Sequence, residues 1–255
     1  MKIKAIRPAS RQNTAVSYQE WSIEVLKSYA SPGTDIDVVF PDQGATSGPM
    51  VGHISEARIE SAAPFVIQEA IKAEKEGFDA VWMTGEYNVG AEVARHLVNI
   101  PVIDTGPIAL HTAALLGDRI CLLVVEDSLK SYTRKLLRRW GMSDLVTSMK
   151  PWNIPVSEVW DRKEEVKDLT INLCKEAIEK EDAEVIVSFC GVFLPFIATP
   201  EEIEAEVGIP VLNHLAVALR VTEMFVNLNI HRSQKAYPYV SESHTLYPSY
   251  AEVGS

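Results

Sequence analysis

Cysteine is scarce in this chain, with three among 255 residues and no CxxC pair. That is too few and too scattered for a disulfide framework, so reduced thiols in a cytoplasmic setting are expected. Basic charge is in deficit: 24 Lys and Arg stand against 35 Asp and Glu, a net charge of −11. Such a balance argues against nucleic acid or an anionic membrane surface as a partner. No apolar run approaches the roughly 18 to 20 residues of a membrane span. The N-terminal Met1-Lys-Ile-Lys-Ala-Ile6 enters a strand-like pattern at once, without the h-region of a signal peptide. No GxGxxG follows the first strand, and no phosphate-binding P-loop or HExxH is present. Catalysis without a metal or nucleotide cofactor is therefore expected.

What is present is an alternation of strands and helices. Lys2–Arg7, Asp35–Phe40, Phe78–Met83 and Ile100–Ile103 read as strands, separated by helices over Val16–Ala30, Ile59–Glu76 and Ala91–Leu97. Pro41–Ser55 is rich in Gly, Pro and Ser and reads as a loop long enough to cover an active site; it holds His53. A helix to Leu116 closes this half. Gly117 opens a second unit with strands at Arg119–Val125, Val185–Phe189 and Ile209–Leu212, and a weaker one after Ser143. Its helices span Ser128–Trp140, Arg162–Lys180 (Val166, Leu169, Leu173 and Ala177 on one face), Pro200–Val207 and a last stretch to about Leu228. This order predicts a parallel α/β architecture.

An internal repeat refines that prediction. Asp79-Ala-Val-Trp-Met-Thr-Gly85 resembles Asp182-Ala-Glu-Val-Ile-Val-Ser-Phe-Cys190. Downstream, Ile100-Pro-Val-Ile-Asp-Thr-Gly-Pro-Ile-Ala-Leu110 resembles Ile209-Pro-Val-Leu-Asn-His-Leu-Ala-Val-Ala-Leu219. Two copies of one unit would place two equivalent strand ends, near Gly85 and near Cys190, across a shared cleft. Open α/β sheets bind ligands at the carboxyl ends of their strands.

Cys190 is the sharpest candidate. A thiol with a reference pKa of about 8.5 can serve as acid, base or nucleophile, and amides of the following turn can lower that value or hold an oxyanion. The alternative is a packed core cysteine, the reading given to Cys121 and Cys174. Glu86 could act as a general base if burial raised its pKa; a solvated or helix-capping carboxylate is the alternative. Thr84, Tyr87 and Asn88 offer hydrogen bonds to a carboxylate or enolate, or ordinary turn chemistry. His214 occupies the matching loop of the second repeat, as a titrating group or a structural one.

These stretches resemble the aspartate/glutamate/hydantoin racemase superfamily, and its hydantoin racemase branch in particular. The resemblance rests on Ser31-Pro-Gly-Thr-Asp35, Glu76-Gly-Phe-Asp-Ala-Val81, Gly90-Ala-Glu-Val-Ala-Arg95, Ile100-Pro-Val-Ile103, Ser188-Phe-Cys-Gly191, Gly208-Ile-Pro-Val211 and Lys235-Ala-Tyr-Pro238. It implies two pseudosymmetric, flavodoxin-like lobes with the active site between them. Residues 1–114 with 213–255 would form one lobe and 115–212 the other. It also implies racemase or isomerase chemistry at the carbon beside a carboxylate or carbonyl of a small acid or hydantoin. Two cysteines would flank the substrate, and family habit together with exposed apolar positions expected on the Ser128–Trp140 helix points to a homo-oligomer.

Cys190 matches the second of those cysteines, whereas Gly85 stands where the first belongs. The family's Asn-Pro-Asn-Thr is Arg7-Pro-Ala-Ser10 here. Arylmalonate decarboxylase, another member, is similar in pairing a glycine with a single cysteine that protonates one face of an enediolate. By that likeness Thr84, Gly85, Glu86, Tyr87, Ser128 and Gly191 would form the carboxylate pocket, with Phe189, Val192 and Phe193 beside the departing group; Ser10 and His214 are further candidate substrate contacts. Decarboxylation is thus the second reading, and a silent small-molecule binding protein the third.

Overall fold

The computed structural model describes residues 1–43 and 54–240. The first half runs β1 (Lys2–Ile6), α1 (Val16–Ser28), β2 (Asp35–Val39), α2 (Glu56–Lys75), β3 (Ala80–Met83), α3 (Ala91–Leu97), β4 (Val102–Asp104) and α4 (Thr105–Ala113). The second runs β5 (Ile120–Val124), α5 (Lys130–Trp140), β6 (Val146–Pro151), α6 (Lys163–Glu181), β7 (Val185–Ser188), α7 (Pro200–Val207), β8 (Val211–Leu212) and α8 (His214–Asn227). Every residue of β3, β5 and β7 is buried, as expected of strands covered by helices on both faces.

The two halves repeat one topology. The first sheet has the order β2-β1-β3-β4 and the second β6-β5-β7-β8, all parallel. Ile3 pairs with both Ile36 and Ala80, and Ile120 with both Val146 and Val185. In each sheet the order reverses beside the first strand, which opens a crevice at the carboxyl ends of β1 and β3, and of β5 and β7. The repeat seen in the sequence is therefore a repeat of structure. Helix α8 packs on α4, β3 and β4, so the chain returns to its first sheet. On that packing we propose the division into 1–114 with 213–255, and 115–212.

Local chemistry sets the helix ends. Ser55 caps α2 by accepting from the Arg58 amide, so the helix starts three residues before Ile59. Thr199 and Glu202 form a capping box on α7, with Pro200 in its first turn. Two expectations need correction. The buried face of α6 is Val166, Thr170, Cys174 and Ala177, with Leu169 and Leu173 only half-buried at its edge. Thr170 can go inside because its hydroxyl donates to the Val166 carbonyl (2.7 Å) and accepts from Trp152 Nε1 (2.8 Å). In α5, Leu136 and Leu137 are buried, so that helix offers no exposed apolar stripe to a partner. Among the described residues no helix is long and apolar enough to cross a membrane.

Candidate active site

Cys190 stands two residues beyond β7, and its backbone is gripped by its own strand. Ser188 Oγ accepts from the Cys190 amide (3.2 Å) and donates to the Cys190 carbonyl (3.0 Å). The chain then turns, with the amides of Phe193 and Leu194 both bonded to that carbonyl. The Val192 and Phe193 amides face the sulfur. They and the Arg7 charge pull the thiol pKa down, but desolvation, followed by the Glu86 charge, pushes it up to about 12. The expected lowering by the turn is thus present and overridden, because the thiol is almost wholly withdrawn from water. At neutral pH Cys190 is a thiol, an acid rather than a base.

Gly85 and Glu86 leave β3 at the equivalent position of the other sheet. Glu86 reaches across: its Oε1 accepts from the Gly191 amide (3.0 Å) and from His214 Nε2 (2.9 Å). His214, first residue of α8, is fully buried, and its Nδ1 meets no partner among the described residues. Helix α4 comes equally close from the other repeat. A Cβ on Gly106 would lie 2.1 Å from the Glu86 carbonyl oxygen, so only glycine admits this approach. The starts of two equivalent helices thus converge on one carboxylate residue.

Pro8, Ile54, Ile59, Gly85, Glu86, Tyr87, Val89, Val125, Phe189 and Cys190 line one cavity between the two sets of strand ends. Gly85 is confined on its own side, since a Cβ there would meet Pro8 Cγ at 2.9 Å. Tyr87 stacks on Tyr132 and meets Phe189 edge-on, and its buried hydroxyl faces Thr133 and the Val125 backbone without closing a good hydrogen bond to either. Thr84 is buried at the strand end, its hydroxyl donating to the Ile6 carbonyl (3.0 Å).

Other nominees fall outside this group. Ser10 is buried in its own turn, where its hydroxyl accepts from the Asn13 side chain (2.9 Å) and the Asn13 amide. Ser128 is exposed, its hydroxyl directed at Glu126. Phe193 stacks on Trp152 with centroids 4.2 Å apart, which leaves Phe189 as the aromatic wall. His53 and most of the 41–55 loop lie outside the described residues. Cys121 and Cys174 are core residues, and burial raises both thiols, Cys121 to about 11.

Three residues that the sequence did not single out, Arg7, Tyr18 and Asp104, lie outside the cavity lining but act electrostatically on Cys190 or Glu86. Arg7, at the end of β1, is buried and donates through Nη2 to Tyr18 Oη (2.9 Å). Asp104, at the end of β4, is buried with neither carboxylate oxygen well bonded, and desolvation pushes it up to about 7. The signal for Arg7 was available: an arginine directly after an apolar strand, ahead of a proline. For Asp104 and Tyr18 no local signal distinguishes them from ordinary strand-end and helix residues.

The family model for Asp/Glu/hydantoin racemase matches residues 13–222. The chain belongs to that family. It is accordingly an enzyme of the racemase-type isomerases. A hydantoin racemase from Pseudomonas sp. (strain NS671) is 27% identical over 240 residues, covering 94% of this chain and 92% of that protein. The structure of allantoin racemase from Pseudomonas fluorescens superposes with a TM-score of 0.82 at 26% identity, over 94% of this chain and 97% of that one. Arylmalonate decarboxylase shares the fold at a TM-score of 0.57 and 20% identity, over 91% and 96%. Hydantoin-type racemases and a decarboxylase thus flank this family member, as the residue pattern implied.

Proposed function

We propose that the chain is a cofactor-independent isomerase acting at the carbon next to a carboxylate or carbonyl of a small acid or hydantoin, through an enolate-like intermediate. The observation that supports this best is Cys190, a protonated thiol on the cavity wall with two turn amides at its sulfur. When the α-carbon gives its proton to the Glu86 carboxylate on the same cavity wall, the electron pair of the C–H bond moves onto the neighbouring oxygen. The Cys190 S–H then delivers a proton to carbon, and the thiolate left behind is steadied by the Val192 and Phe193 amides. The reverse transfer makes the same sulfur a base. Glu86 is the carboxylate available to share proton transfer, and its ties to Gly191 and His214 also hold the Cys190 turn. Thr84, Tyr87, Gly85 and Gly191 complete the walls. All three cysteines are unpaired, which suits a reducing, cytoplasmic compartment. Exposed Leu115, Leu116, Met224 and Leu228 at the ends of α4 and α8 are consistent with a homo-oligomer.

Gly85 favours a second reading. With no acid or base on that residue, a substituted malonate could lose carbon dioxide and be protonated on one face by Cys190 alone. Incubating hydantoins, α-substituted acids and substituted malonates in D2O separates the two. Isomerisation shows as α-proton exchange without loss of carbon, decarboxylation as carbon dioxide release with a single deuterated enantiomer. Cys190→Ala abolishes either; full activity in that variant sinks both.

A further inference from the structure

Arg7 carries a buried charge that no protein carboxylate pairs directly among the described residues. Its side chain is 3% exposed, yet among the described residues no carboxylate lies within ion-pair distance of it. Its hydrogen bond goes to the neutral Tyr18 hydroxyl, its guanidinium carbon lies 5.2 Å from the Phe196 ring centroid, and its buried Nε has no partner. Glu86, the acid beside it, already spends Oε1 on Gly191 and His214. Buried charge is retained in proteins when it is paired or functional.

The position of this charge says what it serves. The point where a Cβ on Gly191 would sit lies 3.7 Å from Arg7 Nη1 and 3.6 Å from Glu86 Oε1. Arg7 therefore abuts the residue next to the reactive thiol, and its charge acts on Cys190. A guanidinium offers a planar fork that matches a carboxylate with two parallel hydrogen bonds. At that separation the guanidinium lies in van der Waals reach of the Cys190 turn.

We infer that Arg7 is a specificity-determining residue that pairs with a carboxylate of the substrate, so that the enzyme takes carboxylate anions in preference to neutral ring amides. This deepens the reading above and rests on substrate occupying the Cys190 cavity. A neutral hydantoin ring leaves the Arg7 charge unmatched. A carboxylate gives it a counter-charge where negative charge builds up in the enolate.

The test uses two reagents of nearly the same shape, iodoacetate and iodoacetamide, of which only the first is an anion. Alkylation of Cys190 is followed at pH 9 by peptide mass spectrometry, which separates it from Cys121 and Cys174. The readout is the iodoacetate-to-iodoacetamide rate ratio. The ratio cancels any effect of Arg7 on thiol ionisation and reports anion recognition alone. In the intact protein it is expected to exceed the ratio for glutathione at least tenfold, despite the nearby Glu86 charge. Arg7→Met brings it down to the glutathione value, and Arg7→Lys, which keeps the buried charge and loses the fork, falls between. A wild-type ratio at or below that of glutathione overturns the inference without any variant, and so does an unchanged ratio in a folded Arg7→Met protein. Since the ratio needs no turnover, a failed D2O exchange assay with an intact ratio condemns the proposed chemistry and spares the anion site. The opposite pattern does the reverse.

Discussion

The Glu86 carboxylate, from the first sheet, accepts the Gly191 amide of the second at 3.0 Å. One hydrogen bond thus ties the glycine end of the repeat to the cysteine end, directly behind the thiol. His214 holds the same oxygen from a third direction. The pair of strand ends is therefore a braced unit, and its behaviour can be tested from each side.

Glu86→Gln keeps an acceptor for Gly191 and removes the charge that raises the Cys190 pKa. The thiol then ionises more easily, and iodoacetamide labelling of Cys190 at pH 8 is expected to rise severalfold. Glu86→Ala instead leaves a buried amide and a buried imidazole without their acceptor, and costs about 2–4 kcal/mol in denaturant unfolding. Unchanged labelling in the Gln variant would show that the carboxylate does not act on the sulfur.

Cys190 itself should titrate far above an ordinary thiol. With a pKa of about 12 its labelling rate rises about tenfold per pH unit between pH 7 and 10, without a plateau. A plateau below pH 9 would mean that the turn amides outweigh burial after all.

Asp104 gives the fold a pH dependence of definite sign. Its carboxyl ionises near 3.8 when unfolded and near 7 when folded, because burial disfavours the anion. Between those values the folded state binds the extra proton, so stability falls as pH rises from about 4 to 7 and the penalty is complete above 7. Asp104→Asn removes the ionisation. Its gain in melting temperature over the wild type is expected to be larger at pH 8 than at pH 5 by roughly 5 °C. Equal gains at both pH values would place the Asp104 pKa near its ordinary range.

Gly106 and Gly85 should respond differently to alanine. At Gly106 the new methyl would meet the Glu86 backbone oxygen at 2.1 Å, and neither α4 nor the Glu86 loop can yield without disturbing the site. A loss of about 3 kcal/mol or more is expected, with activity falling alongside. At Gly85 the first obstacle is Pro8 Cγ at 2.9 Å, and a small shift of the β1 turn relieves it at about 1–2 kcal/mol. Chemical denaturation of both variants ranks them, and the reverse order would contradict this packing.

Much of the fold is legible in the chain. Apolar runs such as Val185–Val187 and Ile120–Val124, with helical spacing between them, specify parallel strands covered on both faces, and the Ile-Pro-Val repeats announce two copies of one unit. The resemblance to racemases, carried by Ser188-Phe-Cys-Gly191 among other stretches, places the family. The interior face of α6 is harder to read, because Thr170 counts as polar by sequence while Trp152, 18 residues away, satisfies its hydroxyl. Ser10 stands out over Arg7 in the sequence because a motif position says nothing of which buried side chain reaches the Cys190 turn.

By itself, then, the sequence determined the strand-and-helix order, the duplication, the family and the location of Cys190 and Gly85 at equivalent strand ends. These depend on local periodicity and short motifs, which are written along the chain. Tertiary structure alone decided that Glu86 grips Gly191 and His214, 105 and 128 residues away, that Arg7 lies buried without a direct ion pair among the described residues, and that Cys190 is held as a thiol. Those properties follow from desolvation and from distances between segments remote in sequence, and both come into being only when the two sheets close over the same cavity.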